Sequence, residues 1–417
     1  MSLSYATTLK VNSLKEEAPV PLPAGHAHII RSDEEAIEIA HRLAEEFARE
    51  AALRDREGIL PLKELDAFSQ SGLWAMTVPE EWGGAGVSWA TVANVIAIIS
   101  AADPALGQLP QNHLAGIAHL LEDGTADQKK TLLAEVLAGL RWGNAFSEKD
   151  SPTVADFQTR FHVEGDEVVI NGEKFYATGA LLAHRVHVVA VNDLGHAHLI
   201  VADRDSPGLT IINNWSSFGQ RTTASGTVRL KDVRVPLARV IPVFQAFERP
   251  GAAGPVSQII QAAVDAGIAR GTIEDTLHFV KARTRPWIDS GQAQASEDHF
   301  TLAAVGDLKI RLHAAEALLR RAGEAIDSAL RQPSEEAFTS AAVATAEAKV
   351  LTTEIAILAG NKLFELAGTR STLEAFNLDR HWRNARTHTL HDPVRWKYYH
   401  VGNFYLNGTP PPRHAWS

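Results

Sequence analysis

Three successive helical hydrophobic patterns, at about 256–283, 300–331 and 334–367, constrain this 417-residue chain more than any other feature. At 1.5 Å of rise per residue, each would run for roughly 40–50 Å, further than a small domain can cover from one side. Such helices have to cover one another, so the pattern predicts a C-terminal helix bundle. Gly267 and Gly271 stand one turn apart in the first of them, which predicts a neighbour packed close against that face. The run Gly408-Thr409-Pro410-Pro411-Pro412 cannot continue a helix, because proline lacks the N–H donor and clashes with the preceding turn.

The first third is helical as well. After a proline-containing lead over 1–30, Ser32-Asp33-Glu34-Glu35 has the form of a capping box ahead of an apolar stripe with Ile37, Leu43 and Phe47. Further helical periodicity runs through 60–71, 89–102, 113–121 and 128–140, punctuated by Gly72, Gly107, Gly124 and Gly139. Between about 157 and 243 the texture changes to short β-branched runs at 157–163, 168–170, 186–191, 198–202, 209–212 and 226–235. Asn171-Gly172 between apolar runs predicts a tight hairpin turn, since both central residues of such a turn need positive φ. The expected organisation is α+β: a loose lead over 1–30, a helical domain over 31–145, a β-domain over 146–245, and a helical bundle with its tail over 246–417.

Composition removes several functions. Lys+Arg 40 against Asp+Glu 50 gives a net charge of -10, and no basic block stands out, so nucleic acid is not the expected partner. The absence of cysteine excludes disulfides, thiolate nucleophiles, cysteine zinc sites and iron–sulfur clusters. Catalysis must then use histidine, carboxylates, hydroxyls or a cofactor. Only two methionines are present; so little sulfur fits either the compositional drift of a proteome rich in Ala and Arg or a protein made in bulk during sulfur limitation. No stretch of about 18 apolar residues is available for a membrane span, and the N-terminus lacks the layout of a secretory signal. The expected compartment is the cytoplasm.

The order helical domain, β-domain, helical bundle resembles the acyl-CoA dehydrogenase fold. Several segments carry the resemblance in the right order: Val78-Pro79-Glu80-Glu81-Trp82-Gly83-Gly84-Ala85-Gly86, Gly124-Thr125-Ala126-Asp127-Gln128-Lys129, and Asn171-Gly172-Glu173-Lys174-Phe175-Tyr176-Ala177-Thr178-Gly179. Three others are similar to the flavin-dependent monooxygenases typified by dibenzothiophene monooxygenase. They are Gly143-Asn144-Ala145-Phe146-Ser147-Glu148, Ala282-Arg283-Thr284-Arg285-Pro286-Trp287, and the unusual 379–393 segment Asp-Arg-His-Trp-Arg-Asn-Ala-Arg-Thr-His-Thr-Leu-His-Asp-Pro. The resemblance implies a middle β-barrel-like domain, a C-terminal four-helix bundle and a homotetramer.

It also implies a chemistry. Reduced FMN reacting with O2 gives a C4a-hydroperoxyflavin, which survives only where water is excluded and hydrogen-bond donors are fixed. By resemblance His391 lies beside the flavin ring, and its ordinary titration near neutrality suits peroxide stabilisation or proton donation. His388 is three residues away and would share a face with it in a helix. Asn144, Ser147 and Thr178 should face the isoalloxazine, Trp215 and Ser225 match a flavin wall and a phosphate contact, and Arg285 and Arg370 match the phosphate-binding arginines. Pro286-Trp287 after the first long helix favours a buried position for Arg285. The substrate pocket should include Gln108, Asn112 and His113. Gln108 and Asn112 stand where the aromatic-sulfur enzyme would carry His and Tyr, which implies a more polar pocket and a small sulfone or sulfinate.

Two other readings use the same residues. His388, His391 and Asp392 have the composition of a facial metal triad, but the flavin-like surroundings favour no metal. An FAD-dependent acyl-CoA dehydrogenase would need a carboxylate base; its usual segment is occupied by Asp392-Pro393, and Glu248 offers a second position. A non-catalytic flavin-fold protein would not need the retained Arg, Asn and His set. The reading that follows is a two-component FMNH2-dependent monooxygenase acting on an organosulfur compound and O2. A separate NAD(P)H-dependent flavin reductase is implied, since no G-x-G-x-x-G fingerprint precedes a helix.

Overall fold

The fold is that of a computed structural model, which describes residues 20–23 and 25–417. Most of the lead expected over 1–30 lies outside the described residues, but its end is docked. Ala27 and Ile30 are buried, and the His28 N–H donates to the Gln70 carbonyl at 2.9 Å. The helical region that follows comprises α1 (Asp33–Ala48), α2 (Ala51–Glu57), α3 (Leu62–Gln70), α4 (Trp89–Ala102), α5 (Pro104–Gln108), α6 (Pro110–Asp123) and α7 (Ala126–Leu137). Ser32 caps α1 by accepting from the Glu35 N–H at 3.2 Å. The Glu35 carboxylate, however, reaches the Arg31 N–H at 2.7 Å rather than that of Ser32, so the box closes one residue early. Between α4 and α5, Asp103 accepts from the Ala105 N–H at 3.1 Å and from Arg54 Nη2 at 2.8 Å. This fixed corner aims the end of α5 and the start of α6 at the interior.

The middle region is an eight-stranded mixed sheet of β1 (Trp142–Ala145), β2 (Arg160–Glu164), β3 (Glu167–Lys174), β4 (Arg185–Val191), β5 (Ala197–Asp203), β6 (Leu209–Ile212), β7 (Thr227–Pro236) and β8 (Val240–Ile241). The order is β6-β7-β3-β2-β4-β5-β8, with β1 joined to β4. β1 runs parallel to β4 and sets Asn144 opposite His187. The expected Asn171-Gly172 hairpin turn is corrected here. The β2–β3 turn lies at Gly165-Asp166, and Asn171-Gly172 sits inside β3, where the register against β7 shifts. Asn171 accepts from the Asp232 N–H at 2.9 Å across that bulge. Gly172 has φ 155, and a Cβ there would come within 2.5 Å of Thr159 Oγ1. Of the pair only Gly172 takes the positive φ expected of both, and it serves a bulge rather than a turn.

After the single turn α8 (Gln245–Glu248), the chain forms α9 (Ala253–Arg283), α10 (His299–Arg331), α11 (Glu335–Ala367), α12 (Asp379–His388) and α13 (Arg395–Asn407). The close approach expected at Gly267 and Gly271 is made by α4. A Cβ at these positions would lie 2.5 Å from the Ala97 carbonyl oxygen and 2.3 Å from that of Ala101. Val92, Ile96 and Ile99 of α4 share one apolar interior with Ile260, Val264 and Ile268 of α9, so the two helical regions have a common core. The sheet keeps its own core around Val186, Val188, Ile200 and Val228. Among the described residues no helix is long and apolar enough to cross a membrane.

Candidate active site

Where α6, the β1 and β4 strands, α9 and the end of the chain converge, they enclose a cavity of about 320 Å3. That size falls in the range of small-molecule sites. Asn112, Asn144, Ser147, Thr178 and His391 all line it, so five of the expected site residues meet although they come from all three regions of the chain. Phe146, Phe157, Tyr176 and Trp416 give it aromatic walls.

Asn144 is fixed by its backbone N–H to the Thr178 carbonyl at 3.0 Å and by its side-chain Nδ2 to the Tyr176 carbonyl at 3.2 Å. Its Oδ1 is buried without a partner. Thr178 Oγ1 lies 2.8 Å from Ser225 Oγ, which lies 2.7 Å from Thr223 Oγ1. The loop residues on either side whose carbonyls accept hydrogen bonds here, Tyr176, Gln220 and Ala224, carry positive φ of 58, 50 and 49 without being glycine, the kind of backbone strain that gathers at functional sites. Trp215 donates Nε1 to the Gln220 carbonyl at 2.8 Å and packs edge-on to Tyr176. Trp215 and Ser225 therefore stand behind the wall rather than in it.

His391 does not continue α12, which ends at His388. A turn returns it so that its backbone N–H and its Nδ1 both reach the His388 carbonyl, at 3.1 and 2.7 Å. Nδ1 is therefore the protonated nitrogen, and Nε2 accepts from Gln108 Nε2 at 3.0 Å. Burial, then the neighbouring His388, pushes its pKa down to about 3. The expectation of a group titrating near neutrality is thus corrected: His391 is a neutral hydrogen-bonding imidazole.

His388 is fully buried behind His391 and off the cavity wall, with Nδ1 2.6 Å from Asp265 Oδ1. Asp392 does line the cavity, and its Oδ2 accepts from Gln258 Nε2 at 3.0 Å. These partners draw His388 and Asp392 apart in role, rather than into the facial triad. His113 is a structural clamp: Nε2 donates to the Trp74 carbonyl at 2.8 Å and Nδ1 accepts from the Trp142 N–H at 3.0 Å. Gln108 touches the site only through His391. Arg285 and Arg370 are exposed and away from the cavity lining, and Trp287 is 71% exposed, so the buried position expected there is not formed within one chain. Glu248, the second base position of the dehydrogenase reading, is exposed and outside the lining.

Three scaffold features, two residues and the role of the tail, escaped sequence reading. Asp265 and Lys349 pair at 3.0 Å with almost no exposure; an isolated charge within an apolar helical run was the available signal. The tail is the third feature. Gln258 Nε2 donates to the Ala415 carbonyl at 2.9 Å and Lys397 Nζ to the Trp416 carbonyl at 2.7 Å, which fastens Trp416 over the cavity against Phe146.

Comparison with known proteins agrees with this architecture. The family models described as the N-terminal, middle and C-terminal domains of acyl-CoA dehydrogenase match residues 32–140, 145–233 and 259–396. The chain belongs to the acyl-CoA dehydrogenase family. It is 32% identical to dibenzothiophene monooxygenase of Rhodococcus erythropolis over 397 residues, covering 91% of this chain and 95% of that one. The FMN-bound structure of TdsC from a Paenibacillus species superposes with a TM-score of 0.87 at 32% identity, over 92% of this chain and 100% of the other. Methanesulfinate monooxygenase MsuC of Pseudomonas fluorescens gives 0.84 at 29% identity, over 91% and 99%.

An isoalloxazine fits what the family member offers here. The unpartnered buried atoms Asn144 Oδ1, Gln261 Oε1 and His187 Nδ1 belong to lining residues, and a flat heteroaromatic edge with N–H and C=O groups satisfies such atoms between aromatic walls.

Proposed function

We infer that this chain is a flavin-dependent monooxygenase that uses reduced FMN and O2 to oxidise a small organosulfur compound. The observation that carries it is the meeting of Asn144, Thr178 and a neutral, singly tautomeric His391 in one aromatic-walled cavity, in a chain whose relatives are monooxygenases of sulfur compounds. Reduced FMN, when bound, supplies the electron pair that O2 activation needs.

The chain's own residues do the rest. Asn144 Oδ1 and the Thr178 hydroxyl receive and orient the ring, and Ser147 borders it. Phe146, Phe157 and Trp416 keep water out, which strengthens every polar contact inside. His391 and Gln108 form a neutral hydrogen-bonding pair in which both ring nitrogens are already engaged, so the imidazole borders the cavity without acting as an acid. Asn112, with Gln111 and Gln261, makes part of the cavity wall polar, which supports a small sulfone or sulfinate rather than a fused aromatic.

The arginines Arg285 and Arg370 are proposed to hold the FMN phosphate, as exposed guanidinium groups able to bind it bidentately. A homotetramer is proposed on the exposed apolar side chains of α10 and α13, Phe300 at 86%, Ile310 at 71% and Leu406 at 83%. A separate NAD(P)H-dependent reductase in the cytoplasm is proposed to supply the reduced flavin.

The test is to load the protein with FMNH2 anaerobically and mix it with oxygenated buffer while recording flavin absorbance. A distinct phase between the reduced and oxidised spectra, shortened by dimethyl sulfone, methanesulfinate or dibenzothiophene, is the expected result. Single-phase reoxidation with all three, together with reduction of the bound flavin by butyryl-CoA, would move the assignment to a dehydrogenase.

A further inference from the structure

Behind the histidine pair lies a buried ionic cluster that the chemistry above does not use. Asp265 on α9 is fully enclosed. Its Oδ2 accepts from Lys349 Nζ at 3.0 Å and from Thr353 Oγ1 at 2.9 Å, both on α11. Its Oδ1 is 2.6 Å from His388 Nδ1. One cation and one anion already balance, so a neutral His388 closes the cluster at the least desolvation cost, with its proton on Nδ1 facing the carboxylate. His388 Nε2 is then a bare acceptor, and it is indeed buried without a partner.

A buried ion pair is a poor way to hold two helices together, since apolar side chains of the same shape do it as well or better. What a carboxylate does and an apolar group cannot is choose which nitrogen of an imidazole carries the proton. The anchor that this bond gives His388 reaches the cavity through the main chain. His388 is the last residue of α12, and its carbonyl is the acceptor that fixes the Nδ1–H tautomer of His391.

We propose that Asp265, clamped by Lys349 and Thr353, is the positioning residue of the histidine pair: it sets the tautomer of His388 and seats the carbonyl that orients His391 toward Gln108 and the cavity. The functional part of this inference rests on the monooxygenase reading, whereas the tautomers do not.

The test uses the apoprotein labelled with 15N-histidine, read by long-range proton–nitrogen correlation, with the two residues assigned through His388→Gln and His391→Gln. Both rings are expected as Nδ1–H tautomers. In Asp265→Asn the amide oxygen stays with Lys349 and Thr353, so its NH2 faces His388 Nδ1 and His388 is expected to switch to the Nε2–H form. The same variant loaded with FMNH2 is expected to release hydrogen peroxide at least about tenfold faster in air. Should Asp265→Asn not fold, Thr353→Val removes one donor and no charge; the His388 Nδ1 proton is then expected to exchange at least about threefold faster. A wild-type His388 in the Nε2–H form, an Asp265→Asn protein with wild-type tautomers and peroxide release, or a Thr353→Val protein with wild-type exchange would each overturn the proposal. If the chain does not oxygenate at all, the tautomer result still decides the role of Asp265, which separates the two failures.

Discussion

Gln108 and His391, from α5 and the turn after α12, meet Nε2 to Nε2 at 3.0 Å. Because His391 donates Nδ1–H to the His388 carbonyl at 2.7 Å, Gln108 has to be the donor of the pair, with its amide oxygen left unpartnered. The pair sits at the cavity wall, with His391 lining it and Gln108 behind. Removing His391 as His391→Ala is expected to lower product formed per FMNH2 consumed by about a hundredfold. Gln108→Leu, which removes only the donor, is expected to lower it by about tenfold. Both variants should still bind FMN, which a fluorescence titration measures separately. Oxygenation by His391→Ala at the wild-type level would take this pair out of the reaction.

Buried histidines make the fold sensitive to acid. Burial pushes His113 and His187 each down to about 3, whereas an unfolded histidine titrates near 6.5. Each holds fewer protons folded than unfolded between those values, so its contribution is whole above about 6.5 and is lost as pH falls through the window. At pH 5.5 the cost is about 1 kcal/mol per histidine. Urea unfolding at pH 7.5 and 5.5 should show stability falling between them. His113→Gln, which retains an acceptor for the Trp142 N–H, should narrow that difference by about 1 kcal/mol. An equal loss in wild type and variant would assign the acid sensitivity elsewhere.

Periodicity made the long helices legible because each has to cover a large apolar area; α9, α10 and α11 occupy 253–283, 299–331 and 335–367, within a few residues of their expected limits. β6 was placed at its observed 209–212. Local sequence failed where its signal serves two structures. Gly172 alone of Asn171-Gly172 takes positive φ, and in a bulge, while Ser32 with Glu35 makes only half of a capping box. At the site, resemblance named residues but not their partners. His391 reached the cavity through a turn rather than a helix face. Asp265 and Lys349 came from helices whose sequence separation hides their 3.0 Å contact. The tail was legible only as non-helical, since its role depends on Gln258 and Lys397, which grip its carbonyls.

The α4–α9 crossing admits no side chain at Gly271. A Cβ there would stand 2.3 Å from the Ala101 carbonyl oxygen and 3.1 Å from its carbon, both backbone atoms that cannot rotate away. Gly271→Ala gains helix propensity but must force the two helices apart, and the net loss is expected to be about 2 kcal/mol. Urea unfolding should show a lower midpoint with an unchanged slope. A variant as stable as the wild type would mean that the crossing is looser than drawn.

Arg285 follows the C-terminal end of α9 and Arg370 follows α11; both are exposed, and neither belongs to the cavity lining. If they hold the FMN phosphate as proposed, they do so where a second copy of the chain brings them to it, because one chain alone leaves them outside. Arg285→Ala is then expected to weaken FMN binding by about tenfold, the loss of a charge-assisted bidentate contact. Arg285→Lys should restore only part of it, since an ammonium cannot make the planar pair. The deficit should vanish on dilution, as the assembly dissociates and wild-type binding weakens to the level of the variant. Fluorescence quenching by FMN, run beside light scattering at the same concentrations, measures both. Equal affinity of Arg285→Ala and wild type while the protein remains assembled would place the phosphate against other donors.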